Sequence, residues 1–176
     1  DCPKLKSVNL TSGSGDSVRI GSNWNATSVS NASQMFSGCL GLESVNISNF
    51  ATDATLAQGA NLSNMFANCN NIIRVTLNNV GTALNADLNH MFYRTFNKQP
   101  ANLNEWYNSS GPYTISLTNV GSGERANLSY MFAESVYLRE ITRMSDVGSG
   151  VFADLSYMFQ NCVSMREVGS SAEVTN

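Results

Sequence analysis

The sequence predicts an α/β repeat solenoid of about five rungs, each a short parallel strand with a short helix. Three observations predict it. A Met-Phe pair returns five times behind a small polar residue, as NASQMF (31–36), NLSNMF (61–66), DLNHMF (87–92), NLSYMF (127–132) and DLSYMF (154–159). A second signature follows, as CLGLESVNI (39–47), CNNIIRVTL (69–77) and CVSMREVGS (162–170), with SVYLREITR (135–143) as a variant and CPKLKSVNL (2–10) as an opening copy. Charged residues are only 13% of the chain, about half the usual share of roughly 25%. Apolar residues at fixed places in so polar a chain point to stacked repeats rather than disorder.

The strand comes from the second signature. Val8 and Leu10, Val45 and Ile47, Val75 and Leu77, and Ile115 and Leu117 alternate at period two, the pattern of a strand with one buried face. The helix is expected from the first signature. Asn31, Asn61, Asp87, Asn127 and Asp154 are N-cap residue types, whose side chains accept the free amides of a first helical turn. Behind them, residues such as Leu62, Met65 and Phe66 recur at spacings of three and four and so share one side. The pairs Met35–Phe36, Met65–Phe66, Met91–Phe92, Met131–Phe132 and Met158–Phe159 are accordingly assigned to the core. The methionines are 30, 26, 40 and 27 residues apart, and a period near 26 lies within the range of about 20–29 for leucine-rich repeats. Neither half of a rung buries its apolar face alone, so neighbours supply the core.

Two further columns follow from the alignment. Asn49, Asn79, Asn119 and Asp146 each precede an apolar residue and are expected to bond from rung to rung at the turn. Cys2, Cys39, Cys69 and Cys162 share a column with Thr95 and Ser135, which marks a place for a small side chain. The cysteines read as buried free thiols, although neighbouring strands about 4.8 Å apart also permit a bridge.

Chemistry is sparse. Zinc needs ligands converging on one point, and these cysteines lie a whole repeat apart. His90, the one histidine, occupies a variable polar column with Gln34, Asn64, Tyr130 and Tyr157 and reads as a surface residue. No nucleophile motif and no glycine-rich phosphate loop is present. No enzyme activity, cofactor or metal is predicted. The net charge of −3 and pI near 5.0 leave no basic stripe for nucleic acid. No apolar run reaches the roughly 18 residues of a membrane span. Seven N-x-Ser/Thr sequons occur, but Asn31, Asn61 and Asn127 are also the expected caps. The chain begins and stops in mid-repeat, and lacks the caps a solenoid needs, so a piece of a longer protein is expected.

The stretches NLSNMFANCNNIIRVTL and DLSYMFQNCVSMREV resemble the BspA-type leucine-rich repeats of bacterial surface proteins and mycoplasma-like lipoproteins, as does SVNISNF at 44–50. The resemblance implies surface exposure, adhesion, and contact with a host or matrix protein or glycan. Similar repeats also fit virion proteins of phages.

The rungs are unequal, and that locates candidate contacts. Met to last strand residue is 12 in four units (35 to 47, 65 to 77, 131 to 143, 158 to 170) but 26 in the third (91 to 117). One insertion therefore lies within 93–113, and the other within 13–28. Insertions in repeats fall in loops and often carry binding. Phe96, Trp106, Tyr107 and Tyr113 in the second, and Trp24 in the first, are aromatic anchors amid small polar residues, the chemistry of binding surfaces. The two insertions sit on opposite sides of the strand and do not combine. The sequence predicts a non-catalytic extracellular adhesion or ligand-binding module at a cell surface or virion. The alternative is a structural component of a surface or virion assembly that joins neighbours through its ends.

Overall fold

The computed structural model describes residues 2, 4–11, 26–56, 59–99, 101–102 and 114–169. Strands β1 (Ser7–Thr11), β2 (Ser44–Phe50), β3 (Arg74–Val80), β4 (Thr114–Val120) and β6 (Arg143–Val147) form one sheet in the order β1-β2-β3-β4-β6. Every pairing in it is parallel. Strands β5 (Glu140–Ile141) and β7 (Glu167–Val168) continue the pairing as a parallel two-residue ladder. Like lies on like: Val8, Val45, Val75 and Ile115 are in register, as are Leu10, Ile47, Leu77 and Leu117, and all are buried.

The expected helix per rung is absent. Among the described residues the one helical element is the single 3-10 turn Ala26–Ser28, so the molecule is a parallel β stack and not an α/β leucine-rich-repeat solenoid. The reason lies in the backbone. A helix of eight or nine residues would leave four N–H groups unpaired at its start and four C=O groups at its end, and Asn, Ser and Gly are weak helix formers. Each Met-Phe segment is instead a ribbon of tight turns. In one rung Met65, Ala67 and Cys69 donate three residues back, to Leu62, Asn64 and Phe66. The alternate amides reach the next rung: Leu62 to Asp87, Asn64 to Asn89, Phe66 to Met91 and Asn68 to Tyr93, at 2.7–3.0 Å. A left-handed residue every fourth position, as at Asn64 (φ 56°) and Asn68 (φ 61°), stops the turn from propagating as helix.

The predicted caps keep their chemistry but not their helices. Asn31, Asn61, Asp87, Asn127 and Asp154 pair in parallel from rung to rung. Each Oδ1 accepts the N–H two residues on, at 2.8–3.1 Å. In the Asn-x-Ser copies the serine hydroxyl donates to the same oxygen, at 2.7–2.8 Å. These are Asx turns, and they account for the sequons at those three positions.

The core is a set of columns. Phe36, Phe66, Phe92, Phe132 and Phe159 stack with centroids 5.3–5.7 Å apart and planes within 11°. Met65, Met91, Met131 and Met158 are buried beside them, whereas Met35, on the outermost of these turns, is 51% exposed and is not core. Phe36 and Phe159, the terminal members, are half-buried. Small-residue positions donate to the phenylalanine carbonyl of the preceding rung: Cys69 to Phe36, Thr95 to Phe66, Ser135 to Phe92 and Cys162 to Phe132, at 3.0–3.3 Å. That explains the exchange of Cys, Thr and Ser: the place needs a short donor. Asn79 donates to Asn49 and Asn119 to Asn79, at 2.8 and 2.9 Å, on left-handed backbone.

One departure from the repeat arithmetic has a local cause. Spacing puts Arg143 opposite Leu117, but Met144 is there. Thr142 is extra between β5 and β6, its hydroxyl donating to the Ile115 carbonyl at 2.6 Å; this shift of one residue turns the Arg143 side chain outward. Stacking itself constrains Gly123, whose backbone lies against the rung before it, as Gly150 lies against Gly123. A Cβ there would stand 2.2 Å from the Ala83 carbonyl oxygen, and backbone cannot give way as a side chain can. Gly123→Ala is expected to destabilise by about 3 kcal/mol or more. Gly169→Ala, with open space around it but a φ of +72°, costs only about 1–2 kcal/mol. Urea unfolding of the two variants measures the difference.

Candidate functional site

Most of the predicted contact residues lie outside the described residues: Trp24, Trp106, Tyr107 and Tyr113. Phe96 is described, and it is core. It is fully buried, with its ring 6.3 Å from Phe92 and 6.2 Å from Phe132. It is not a surface anchor, because the rung runs on beyond position 93. Arg94 N–H donates to Ala133, Thr95 N–H to Phe92, and the Asn97 amide to the Glu134 carbonyl. β1 ends at Thr11 and β4 begins at Thr114, so the two inserted segments attach at opposite ends of the parallel strands.

The described surface has a feature that the sequence reading passed over as a variable polar column. Gln34, Asn64, His90, Tyr130 and Tyr157 are equivalent left-handed positions of five successive turn ribbons, all with φ of 56–57°. On the last three rungs the column is aromatic and continuous. His90 stacks on Tyr130 with centroids 4.9 Å apart and planes 8° apart, and Tyr130 on Tyr157 at 5.0 Å and 18°. Tyr93 meets the edge of His90 at 4.9 Å, and the Arg94 guanidinium lies over Tyr93 at 5.3 Å. Beside the stack, Asn161 donates to the Glu134 carboxylate at 2.6 Å. His90 and Tyr130 are half-buried, while Tyr157 is 61% exposed. The hydroxyls of Tyr130 and Tyr157 bond to none of the described residues. The signal that could have found this site was plain: three aromatic residues on adjacent copies of one repeat position.

Energetics separate this column from the core columns. A left-handed residue other than Gly or Asn costs about 1–2 kcal/mol, and the fold imposes that conformation here on every rung. Asn, as at Asn64, accepts it cheaply. Two stacked pairs return about 0.5–1.5 kcal/mol each, less than three strained residues cost. Stability alone would choose Asn.

His90 is held in the stack as a neutral ring. Its Nδ1 pairs with Asn89 Oδ1, which puts the proton on Nδ1 and leaves Nε2 as an acceptor. Asn89 in turn donates to Ser129 Oγ at 2.7 Å. Burial pushes the imidazole below its ordinary value of 6.5, against the opposing pull of the Asp87 carboxylate. Among the described residues no group of His, Cys, Asp and Glu is placed to hold a metal ion. No helix among them is long and apolar enough to cross a membrane.

A stack of parallel β rungs with a line of aromatic rings on one face defines a repeat-built surface, not a pocket. The chain matches the model of the family described as "Mycoplasma protein of unknown function, DUF285", twice, over residues 17–106 and 60–176. It belongs to that family. Neither the curated proteins nor the solved structures contain a match to it.

The lowered pKa of His90 fixes the sign of a pH effect. The unfolded chain takes up its proton first as pH falls, so this contribution to stability is complete above about pH 6.5 and is lost as pH drops toward the folded value. His90→Asn is expected to raise the melting temperature near pH 6 and to flatten its fall between pH 7 and 5. Thermal unfolding followed across that range checks it.

Proposed function

We propose that the chain is a non-catalytic repeat segment displayed at a cell surface, and that it holds a protein or glycan partner against the His90–Tyr130–Tyr157 column. One observation carries the reading. Three aromatic rings are kept on strained backbone where Asn would be cheaper, with two phenol hydroxyls free of described partners. Rigid rings with polar tips give large contact area at low entropic cost, and they are enriched where proteins meet partners. The surrounding Arg94, Glu134 and Asn161 are mixed in charge and suit a polar partner of no strong sign. The surface setting is supported by the resemblance of the repeat to bacterial surface proteins. The inserted segments that hold Trp24 and Trp106 are further contact candidates on the same molecule.

The test is a panel of immobilised glycans and extracellular-matrix proteins probed with the wild-type chain and with Tyr130→Asn/Tyr157→Asn. Asn keeps the left-handed backbone at low cost, so the double variant is expected to melt no lower than the wild type. Binding is expected to weaken at least about tenfold, the effect of losing an aromatic hot spot. Unchanged binding would move the contact away from the column.

A further inference from the structure

All four cysteines are free thiols, and three of them occupy consecutive rungs of their shared column. Cys2, Cys39 and Cys69 open equivalent turns of consecutive rungs, their carbonyls accepting the N–H of Leu5, Leu42 and Ile72 at 3.1, 3.0 and 3.2 Å. The strands five residues later are in register, Ser7 with Ser44 and Ser44 with Arg74. The three thiols are nonetheless unequal. Cys69 is buried and its Sγ donates to the Phe36 carbonyl at 3.0 Å. Cys162, at the far end, does the same to Phe132 at 3.1 Å and has Ser135 as its column neighbour. Burial pushes Cys69 up to about 12 and Cys162 up to about 11, so both stay protonated. Cys39 is buried as well, but no phenylalanine carbonyl of an earlier rung takes its proton among the described residues. Burial raises the Cys39 thiol too, and its column neighbour on the preceding rung is Cys2, which is exposed.

We propose that Cys2 and Cys39 are a thiol modification site: a pair that closes to an inter-rung disulfide when the protein meets hydrogen peroxide or another two-electron thiol oxidant. Neighbouring parallel strands lie about 4.8 Å apart, inside the Cα range of about 4.4–6.8 Å that a disulfide accepts. The exposed Cys2 thiolate attacks one peroxide oxygen; the O–O bond breaks, hydroxide leaves and Cys2 becomes a sulfenic acid. The Cys39 sulfur then attacks the Cys2 sulfur. The S–O bond breaks, the S–S bond forms, and the Cys39 proton leaves with the hydroxyl group as water. Two thiols lose two electrons and peroxide is reduced to water. The bond ties the first described rung to the second, and a thiol reductant reopens it.

The experiment treats the folded chain with hydrogen peroxide, alkylates the remaining thiols and maps the unreduced peptides by mass spectrometry. The expected result is one peptide linking Cys2 to Cys39, reversible with dithiothreitol, with Cys69 and Cys162 still free before alkylation. Cys69→Ser is expected to leave the link unchanged, and Cys2→Ser to abolish it with Cys39 then alkylated only after unfolding. A Cys2–Cys2 link between chains, a Cys39–Cys69 link, or Cys2 oxidised to sulfinic acid without a link overturns the proposal.

Discussion

The backbone hydrogen bond from one rung to the next is the constraint on which the rest of this molecule depends. It runs along both sides of the stack, through the parallel sheet on one and through alternate amides of the turn ribbons on the other. Because these bonds fix register, each residue type lies over its own copy. A phenylalanine column, an asparagine ladder and a column of small donors follow from that single fact. Each column satisfies a need of the backbone or core: apolar filling, pairing of left-handed corners, or capping of a phenylalanine carbonyl.

The same constraint explains a composition that first resembles disorder. In-register stacking would put like charge over like charge about 4.8 Å apart, which is destabilising. Short uncharged side chains escape that repulsion and also tolerate the turns. On the outer face of the sheet, Asn9, Asn46, Thr76 and Ser116 form one such register row. Charges appear where the column varies: Arg74 lies between Ser44 and Thr114, and Lys6 meets Glu43 of the next rung at 2.7 Å. An exposed pair of this kind adds little stability, but it relieves the column.

Much of the stack was legible in the sequence, and the failure is instructive. Period-two alternation at Val45/Ile47 and Val75/Leu77 gave the strands, and the recurring Asn and Phe gave the columns. The helices were misread because inward residues at spacings of three and four, as Leu62, Met65 and Phe66, fit a turn ribbon as well as a helix. What separates the two is the backbone at the four-residue interval, where φ turns positive whether the residue is Asn, as at Asn64 and Asn68, or not, as at Gln34, His90 and Arg94. At the candidate site the aromatic column is hard to read from sequence because a lone histidine beside Gln34 and Asn64 looks like one more polar residue, and only Tyr130 and Tyr157 at the same repeat position make it one ring of three. Phe96 belongs to the core because spacing places the insertion only within 93–113, whereas the rung continues past 93 through the hydrogen bonds of Arg94, Thr95 and Asn97.

The most direct test of the ladder is NMR detection of scalar coupling across the hydrogen bond of Phe92 N–H. The rung-to-rung account places its acceptor at the Met131 carbonyl, 2.8 Å away, so a coupling from Phe92 nitrogen to Met131 carbonyl carbon is expected. A coupling to the Leu88 carbonyl instead, four residues back as in an α-helix, would contradict it.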